Sequence, residues 1–214
     1  PSANTVTGQG TATIKAVPDL VGVYFNVETK ASTSEEATSK NAEIVDELIT
    51  NLVKEGFERK EIQTLNFNVY PDYSWVDNRQ KLEGYRATHQ IKVELSTEDA
   101  GKIGDVIDTG VNAGAGISYI NFELSREKQN QYKSEALKLA AEDAKLKADS
   151  VAQGLGKNLG RLVSTSTSDF NYYPWEIYKA SDGMAVAEAK QATTNIQPGE
   201  QEISASVTAI FKLR

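Results

Sequence analysis

The sequence predicts a fold of helices and antiparallel strands that is built from two related units. Each unit comprises a strand, a long helix closed by a glycine, a strand followed by a Tyr, Pro and Trp cluster, a polar connection and an alternating strand. Such a repeat indicates supersecondary units that each need the other to cover an apolar face. We therefore predict one domain over residues 1–214, with repeat units at about 6–96 and 115–214 and an extra helix between them.

The chain opens with two predicted strands, whose apolar residues fall on even positions in the first and on odd positions in the second. Over residues 6–16 the even positions are apolar or small and the odd positions are polar, which is the period of a half-buried strand. After Pro18 and Asp19 the parity switches, and over residues 21–29 the odd positions are mostly apolar. Because Pro presets a turn and Asp can bond its own backbone, the two strands are predicted to form an antiparallel hairpin.

A helix and a second hairpin complete the first unit. Capping residues at 32–36 precede an apolar pattern at helical spacing that ends at Gly56. Alternation then predicts strands at residues 65–69 and 85–95, joined by a polar stretch. A shorter helix at about 98–111 is the extra element between the units.

The second unit repeats this order with one enlarged connection. A strand at residues 117–124 leads into a long helix that ends at Gly156, and the small residues of this helix let it lie close to a neighbouring backbone. Strands are predicted at 162–167 and 203–213. The stretch 169–201 between them has almost no periodicity, and connections of this length inside a domain are usually functional or disordered.

Composition excludes several classes of protein. The net charge of -7 and the pI near 4.9 argue against a nucleic-acid binder, which needs a basic surface. The absence of Cys excludes disulfides and thiolate catalysis but does not indicate a compartment. No run approaches the roughly 20 apolar residues of a transmembrane helix. The small polar start without Met suits a mature protein whose export signal was removed, but the start of any separate domain looks the same.

No catalytic, metal or cofactor site can be assembled from the sequence. His89 is the single histidine and falls on the apolar face of its strand, which favours a core or boundary residue bonded to backbone over a ligand or base. Gly8 and Gly10 resemble the start of a dinucleotide-binding motif, but Thr13 replaces the third glycine and no helix follows. These glycines favour a close backbone approach or a bulge in a strand. Asp19 is most simply a turn residue. We predict a protein that is not an enzyme and has neither metal nor cofactor.

The remaining candidates are two aromatic clusters at equivalent points of the two units. Tyr and Trp beside loops are enriched at contact surfaces, because they combine a large rigid area with a polar tip. The alternative is that they close the ends of the sheet as parts of the core. The candidate contact residues are Tyr70, Tyr73, Trp75, Tyr172, Tyr173 and Trp175.

Four short motifs, spread over nearly the whole chain, are together specific. They are Val6-Thr7-Gly8-Gln9-Gly10 with Pro18-Asp19, Ile62-Gln63-Thr64 with Tyr70-Pro71, Gly84-Tyr85-Arg86-Ala87, and Gln197-Pro198-Gly199-Glu200 leading into the last strand. With these motifs the chain resembles the SIMPL family, also known as domain of unknown function 541. The resemblance implies an α+β fold with helices covering antiparallel sheet, export to the periplasm, envelope or extracellular space, and a tendency to self-assemble. No catalytic residues are established for this family.

Two functions are compatible with these observations. The first is a non-catalytic exported envelope protein that forms a homo-oligomer, scaffold- or channel-like and linked to stress physiology. Its contacts with other subunits or with a protein partner would involve the aromatic clusters and the stretch 169–201. The second is a monomeric or dimeric binding module whose aromatic clusters capture a peptide, a glycan or a hydrophobic ligand. We favour the first.

Overall fold

The computed structural model describes residues 4–168, 172–180, 189–191 and 198–214, and it forms two compact units. Helices and antiparallel strands alternate as an α+β fold, as predicted. In chain order the elements are β1 (Thr5–Ala16), β2 (Leu20–Ala31), α1 (Ser34–Lys54), β3 (Ile62–Val76), β4 (Arg79–Ser96), α2 (Ile103–Ala113), β5 (Gly116–Glu123), α3 (Arg126–Gly154), β6 (Leu159–Thr167), β7 (Trp175–Lys179) and β8 (Gln201–Leu213).

One unit contains a five-stranded antiparallel sheet in the order β3-β4-β2-β5-β7, together with α1 and α2. The predicted capping signal is used, since the Thr33 side chain accepts a hydrogen bond from the backbone N–H of Glu36 at 3.2 Å. Helix α1 buries one stripe against the sheet, and Gly56 follows it with a φ of 100°. The largest fully buried side chains of this unit are Phe25, Phe122, Leu48, Leu52, Ile91, Ile103, Ile107 and Ile120.

The other unit contains a three-stranded sheet in the order β1-β8-β6, together with α3. Helix α3 buries an alanine at every fourth position from Ala136 to Ala152. A side chain at Gly8 or Gly10 of β1 would overlap the backbone of α3, so helix and strand are in direct backbone contact. The sequence-based expectation of a close approach at these glycines is confirmed, and neither glycine leads into a helix as a dinucleotide-binding motif would require.

The predicted hairpin between the first two strands is wrong. β1 pairs with β8 along its whole length, from Thr5 opposite Lys212 to Ala16 opposite Gln201, whereas β2 lies between β4 and β5. Alternation identified both strands correctly, but it carries no information about which strand is the partner. The turn after β1 therefore leads from one compact unit into the other.

The first strand of the second repeat also differs from the prediction. β5 was expected to open that repeat, but it pairs with β2 in the five-stranded sheet. The strand that corresponds to β2 in the second repeat is β1. In both β1-α3-β6-β8 and β2-α1-β3-β4, the strand that comes last in the series lies between the other two in the sheet. Each compact unit thus contains one strand–helix–strand–strand motif. Both predicted repeat units, 6–96 and 115–214, contribute to each compact unit, and the single domain over 1–214 stays a prediction.

The enlarged connection contains regular structure that periodicity did not reveal. β7 lies within it and pairs with β5, and residues 189–191 are helical. The flanking strands β6 and β8 pair antiparallel, as predicted. Residues 169–171, 181–188 and 192–197 of this connection lie outside the described residues. In the described part of the chain, no helix combines the length and the apolar character that a membrane crossing requires.

Candidate functional site

The first aromatic cluster lies on a two-stranded extension of the five-stranded sheet. β2 ends at Ala31, opposite Tyr85, but β3 and β4 continue to pair up to Val76 opposite Arg79. A two-residue turn closes the hairpin with φ values of 49° and 59° at its two central residues, which is typical of a type I′ turn. We term residues 73–83 the hairpin arm.

The hairpin arm exposes large apolar side chains on a strand pair without further strand neighbours in the described chain. All its residues except Ser74 are exposed, and Ser74 donates a hydrogen bond to Glu83 at 2.7 Å across the pair. An isolated two-stranded hairpin is only marginally stable in water, and exposed apolar patches mark interaction surfaces. The exposed apolar residues of the arm are Tyr73 (51%), Trp75 (70%), Val76 (49%) and Leu82 (46%).

A charge cluster holds the base of the hairpin arm. The Arg86 guanidinium donates to both carboxylate oxygens of Asp72, at 3.1 and 3.2 Å, and to Glu28 at 2.7 Å. Lys30 lies 3.0 Å from the same Asp72. Hydrogen bonds from Lys30 and Arg86 lower the pKa of the Asp72 carboxyl. Tyr70, 43% exposed, lies opposite Arg86 in the β3–β4 register. These bonds tie the arm to β2.

The second aromatic cluster is not one surface. Tyr172 is half-buried beside Leu124 and Ile203, and its hydroxyl accepts a hydrogen bond from the Leu124 backbone N–H at 2.7 Å. For Tyr172 this fits the alternative interpretation, in which the aromatic residues close the ends of the sheet as parts of the core. Tyr173 is 77% exposed. Trp175, 44% exposed, packs edge-to-face on Phe122 with 6.4 Å between ring centroids.

The structure does not bring the two tryptophans together. Trp75 lies on β3 and Trp175 on β7, and these are opposite edges of the five-stranded sheet with three strands between them. Tyr172 and Tyr173 belong to the other compact unit. The role of the six predicted aromatic residues as contact residues stays a prediction. Among the residues that the structure describes, the longest unbroken exposed stretch is 75–83, within the hairpin arm.

His89 occupies the boundary position that its strand parity predicted, but its described partner is the Thr64 side chain and not the backbone group that was expected. It is half-buried on β4, its Nε2 lies 2.9 Å from the Thr64 hydroxyl, and its ring packs edge-on against Phe67 at 5.3 Å. Burial lowers the pKa of His89. The Asp19 backbone N–H donates to the carbonyl of Glu123, and the Asp19 carbonyl accepts from the Thr97 N–H. Within the described ranges, no three His, Cys, Asp or Glu side chains are grouped so that they could hold a metal ion.

The lowered pKa of His89 predicts a pH-dependent stability. Between the ordinary histidine pKa of about 6.5 and the lower folded value, the unfolded chain binds a proton that the folded chain does not. The free energy of unfolding should therefore fall as the pH decreases from about 7.5 to about 5.5. Urea unfolding across this pH range measures the free energy of unfolding. In His89→Gln this free energy should depend less on pH. An equal slope in both proteins would contradict the prediction, since the chain has only one histidine.

A buried ionic network on the five-stranded sheet was missed by the sequence analysis. Lys92 donates to Glu123 at 2.6 Å and to Glu94 at 2.8 Å, and the Tyr24 hydroxyl donates to Glu123. Tyr24 stacks on Tyr119 with 4.1 Å between ring centroids. Burial alone lowers the pKa of Lys92, but the bonds to Glu123 and Glu94 raise it above its ordinary value. The alternation of the strands placed these residues on one face, but nothing in it indicated their burial.

Comparison with known proteins connects this structure to a family. The SIMPL model, described as protein of unknown function (DUF541), matches residues 5–211. The chain is 27% identical to a 26 kDa periplasmic immunogenic protein of Brucella melitensis, over 100% of this chain and 86% of the relative. It is 28% identical to the uncharacterized protein YggE of Escherichia coli K12, over 90% of this chain and 77% of the relative. The matched descriptions name no enzymatic activity. The export that the resemblance implied is confirmed, and the chain is an exported protein.

Proposed function

Because the chain belongs to the SIMPL family, we propose that it is a non-catalytic exported protein that assembles into a homo-oligomer through the hairpin arm. The oligomer serves as a scaffold or channel in envelope stress physiology. The single observation that carries the assembly is the arm itself, a strand pair that extends beyond β2 with Trp75 70% exposed at its end.

The energetics of the hairpin arm favour a contact with another molecule. A two-stranded ribbon gains little from its own pairing, and its apolar side chains remain in water. Trp and Tyr are the residues that most often dominate the binding energy of protein interfaces, because each buries a large area at a small cost in side-chain entropy. Burial of Tyr73, Trp75 and Leu82 against a second subunit would remove this exposed area from water.

The charge of the hairpin arm favours a second copy of the chain as the partner. The whole chain carries a net charge of -7, so two copies repel each other at most surfaces. The arm contains two acidic residues, Asp77 and Glu83, and two basic residues, Arg79 and Lys81, and its formal charge is therefore zero. Self-association through a neutral apolar surface avoids the repulsion that acidic surfaces would cause.

Light scattering at a series of protein concentrations tests the assembly. The double substitution Trp75→Ser with Leu82→Ser should weaken self-association at least about tenfold, because a buried Trp alone typically contributes about 2 kcal/mol or more. Since both side chains are exposed in the subunit, the thermal transition of the variant should stay close to that of the unsubstituted protein.

The matched control replaces two equally exposed leucines outside the hairpin arm. Leu146 lies within α3 and Leu155 just beyond its end, and they are 65% and 66% exposed, so Leu146→Ser with Leu155→Ser removes comparable apolar surface. We expect this variant to assemble normally. An unsubstituted chain that stays monomeric at high concentration, or a control that dissociates as readily as the arm variant, would refute the proposal.

A further inference from the structure

A cleft runs between α1 and the edge strand β3 in the five-stranded unit. It consists of two adjoining cavities of about 240 and 560 Å³ that share Thr38 and Ala42 as lining residues. The cleft exists because α1 packs on β2 and β4, which leaves the helix-facing side chains of β3 partly uncovered. It lies in the body of the sheet and does not include the hairpin arm.

The walls of the cleft are largely apolar. Phe67 and Val69 line it from β3, and Ala42 and Val45 line it from α1. Val45 is buried, whereas Phe67 is 42% exposed. Binding sites for small molecules commonly combine such apolar walls with a few polar groups that fix the orientation of the ligand.

The cleft contains a buried hydrogen-bond acceptor without a partner. Asn41 is fully buried, and its amide N–H groups donate to the carbonyl oxygens of Val27 at 2.9 Å and Ala87 at 3.3 Å. These two bonds leave Oδ1 as its remaining polar atom, and this oxygen has no hydrogen-bond partner among the described residues. A buried polar atom in this state costs free energy, which a donor from a ligand would recover.

The charge of the cleft favours a cationic donor. Two carboxylates line it, Glu35 and Asp46, and its lining residues within the described chain include neither Lys nor Arg. The nearest basic residue along the exposed face of α1, Lys40, is paired with Glu36 at 2.9 Å. His89, the remaining titratable group, is half-buried and bonded to Thr64. These two carboxylates would repel an anion and attract a cation.

We propose that this cleft is a binding site for a small amphipathic amine. The apolar body of the amine packs against Phe67, Val69 and Ala42, and its ammonium group donates to the Asp46 carboxylate. Asn41 Oδ1 is closed to solvent, so a second donated hydrogen bond to this oxygen requires the lining side chains to move. This inference is independent of the assembly proposed above, since the two use different residues of β3.

Isothermal titration of the full chain with 2-phenylethylamine tests the site, with phenylacetate as the anion of similar shape. The amine should bind saturably and phenylacetate should not. Asp46→Asn should weaken binding about threefold, because Asp46 is exposed and an exposed ion pair contributes little. Glu43→Gln should leave binding unchanged, since Glu43 is an exposed carboxylate of the same helix outside the cleft. Ala42→Trp, which fills the shared part of the cleft from an exposed position, should abolish binding while the circular dichroism spectrum is retained.

Four results would overturn the site. The first is equal binding of the amine and phenylacetate, which would indicate a non-specific apolar surface. The second is no saturable binding, and the third is binding that Asp46→Asn leaves unchanged. The fourth is dissociation of the oligomer by the amine in light scattering, which would show that a second copy of the chain occupies the cleft. Loss of assembly in the arm variant with amine binding intact would contradict neither proposal.

Discussion

Gly10→Ala is expected to destabilise the unit of β1 and α3 by about 3 kcal/mol or more, which is a large part of the 5–15 kcal/mol that stabilises a typical domain. The added methyl group would overlap the carbonyl oxygen of Ala140 and the backbone nitrogen of Ala144, and it would lie 2.9 Å from the Ala144 Cα. These are backbone atoms of a helix, so they cannot move aside as a side chain would. Helix α3 would have to shift away from the sheet along its alanine stripe.

Circular dichroism at 222 nm during urea unfolding measures this effect, because α3 is the longest helix described. Gly154→Ala is the matched control, since Gly154 lies in the last turn of α3 and an added methyl group there meets no atom within 4 Å. Alanine is a better helix former than glycine by up to about 1 kcal/mol, so the control should be neutral or stabilised. Unfolding of Gly10→Ala at the same urea concentration as the unsubstituted protein would contradict the proposed backbone contact.

Lys92→Met should lower the free energy of unfolding of the five-stranded unit by about 3 kcal/mol, because it leaves the carboxylates of Glu94 and Glu123 without their cation. The side chains of Lys92 and Glu123 are only 11% and 9% exposed, so water compensates little for the loss. Trp fluorescence during urea unfolding reports on this unit, since Trp75 and Trp175 both lie in it.

An exposed ion pair provides the control for this substitution. Lys102 lies 2.9 Å from Asp99 with both side chains more than half exposed, and Lys102→Met should change stability by less than about 1 kcal/mol. Adding Glu123→Gln to Lys92→Met should recover part of the loss, because it removes one of the two uncompensated charges. If Lys92→Met lowers the free energy of unfolding no more than Lys102→Met does, the ionic network is effectively solvated and the prediction is wrong.

Much of the secondary structure could be predicted from local patterns. The parity of β1 and β2, the capping of α1 at Thr33 and the glycine after α1 are all properties of consecutive residues, and the structure shows each of them. The pairing of β1 was predicted wrongly because β8, its partner, lies almost 200 residues away. β7 was missed because its five residues are too few to show alternation.

The candidate site was predictable only as a set of residue types. Tyr73 and Trp75 were identified from their composition and position, but the arm that exposes them exists because β2 ends before β3 and β4 do. Asn41 stands in the buried stripe of α1 between Ala37 and Val45, and this polar residue at an apolar position was a usable signal. The partners of Asn41 on β2 and β4 could not be inferred from it.

The three long helices, most strands and a close backbone approach at Gly8 and Gly10 could be predicted from local patterns, because period, capping and glycine content act within a few residues. The pairing of the strands, the place of β5 beside β2, and the hairpin arm and cleft at β3 became known from the folded chain alone. These features depend on where distant segments end relative to one another and on how much of each face they cover. Local periodicity gives no information about either of these quantities.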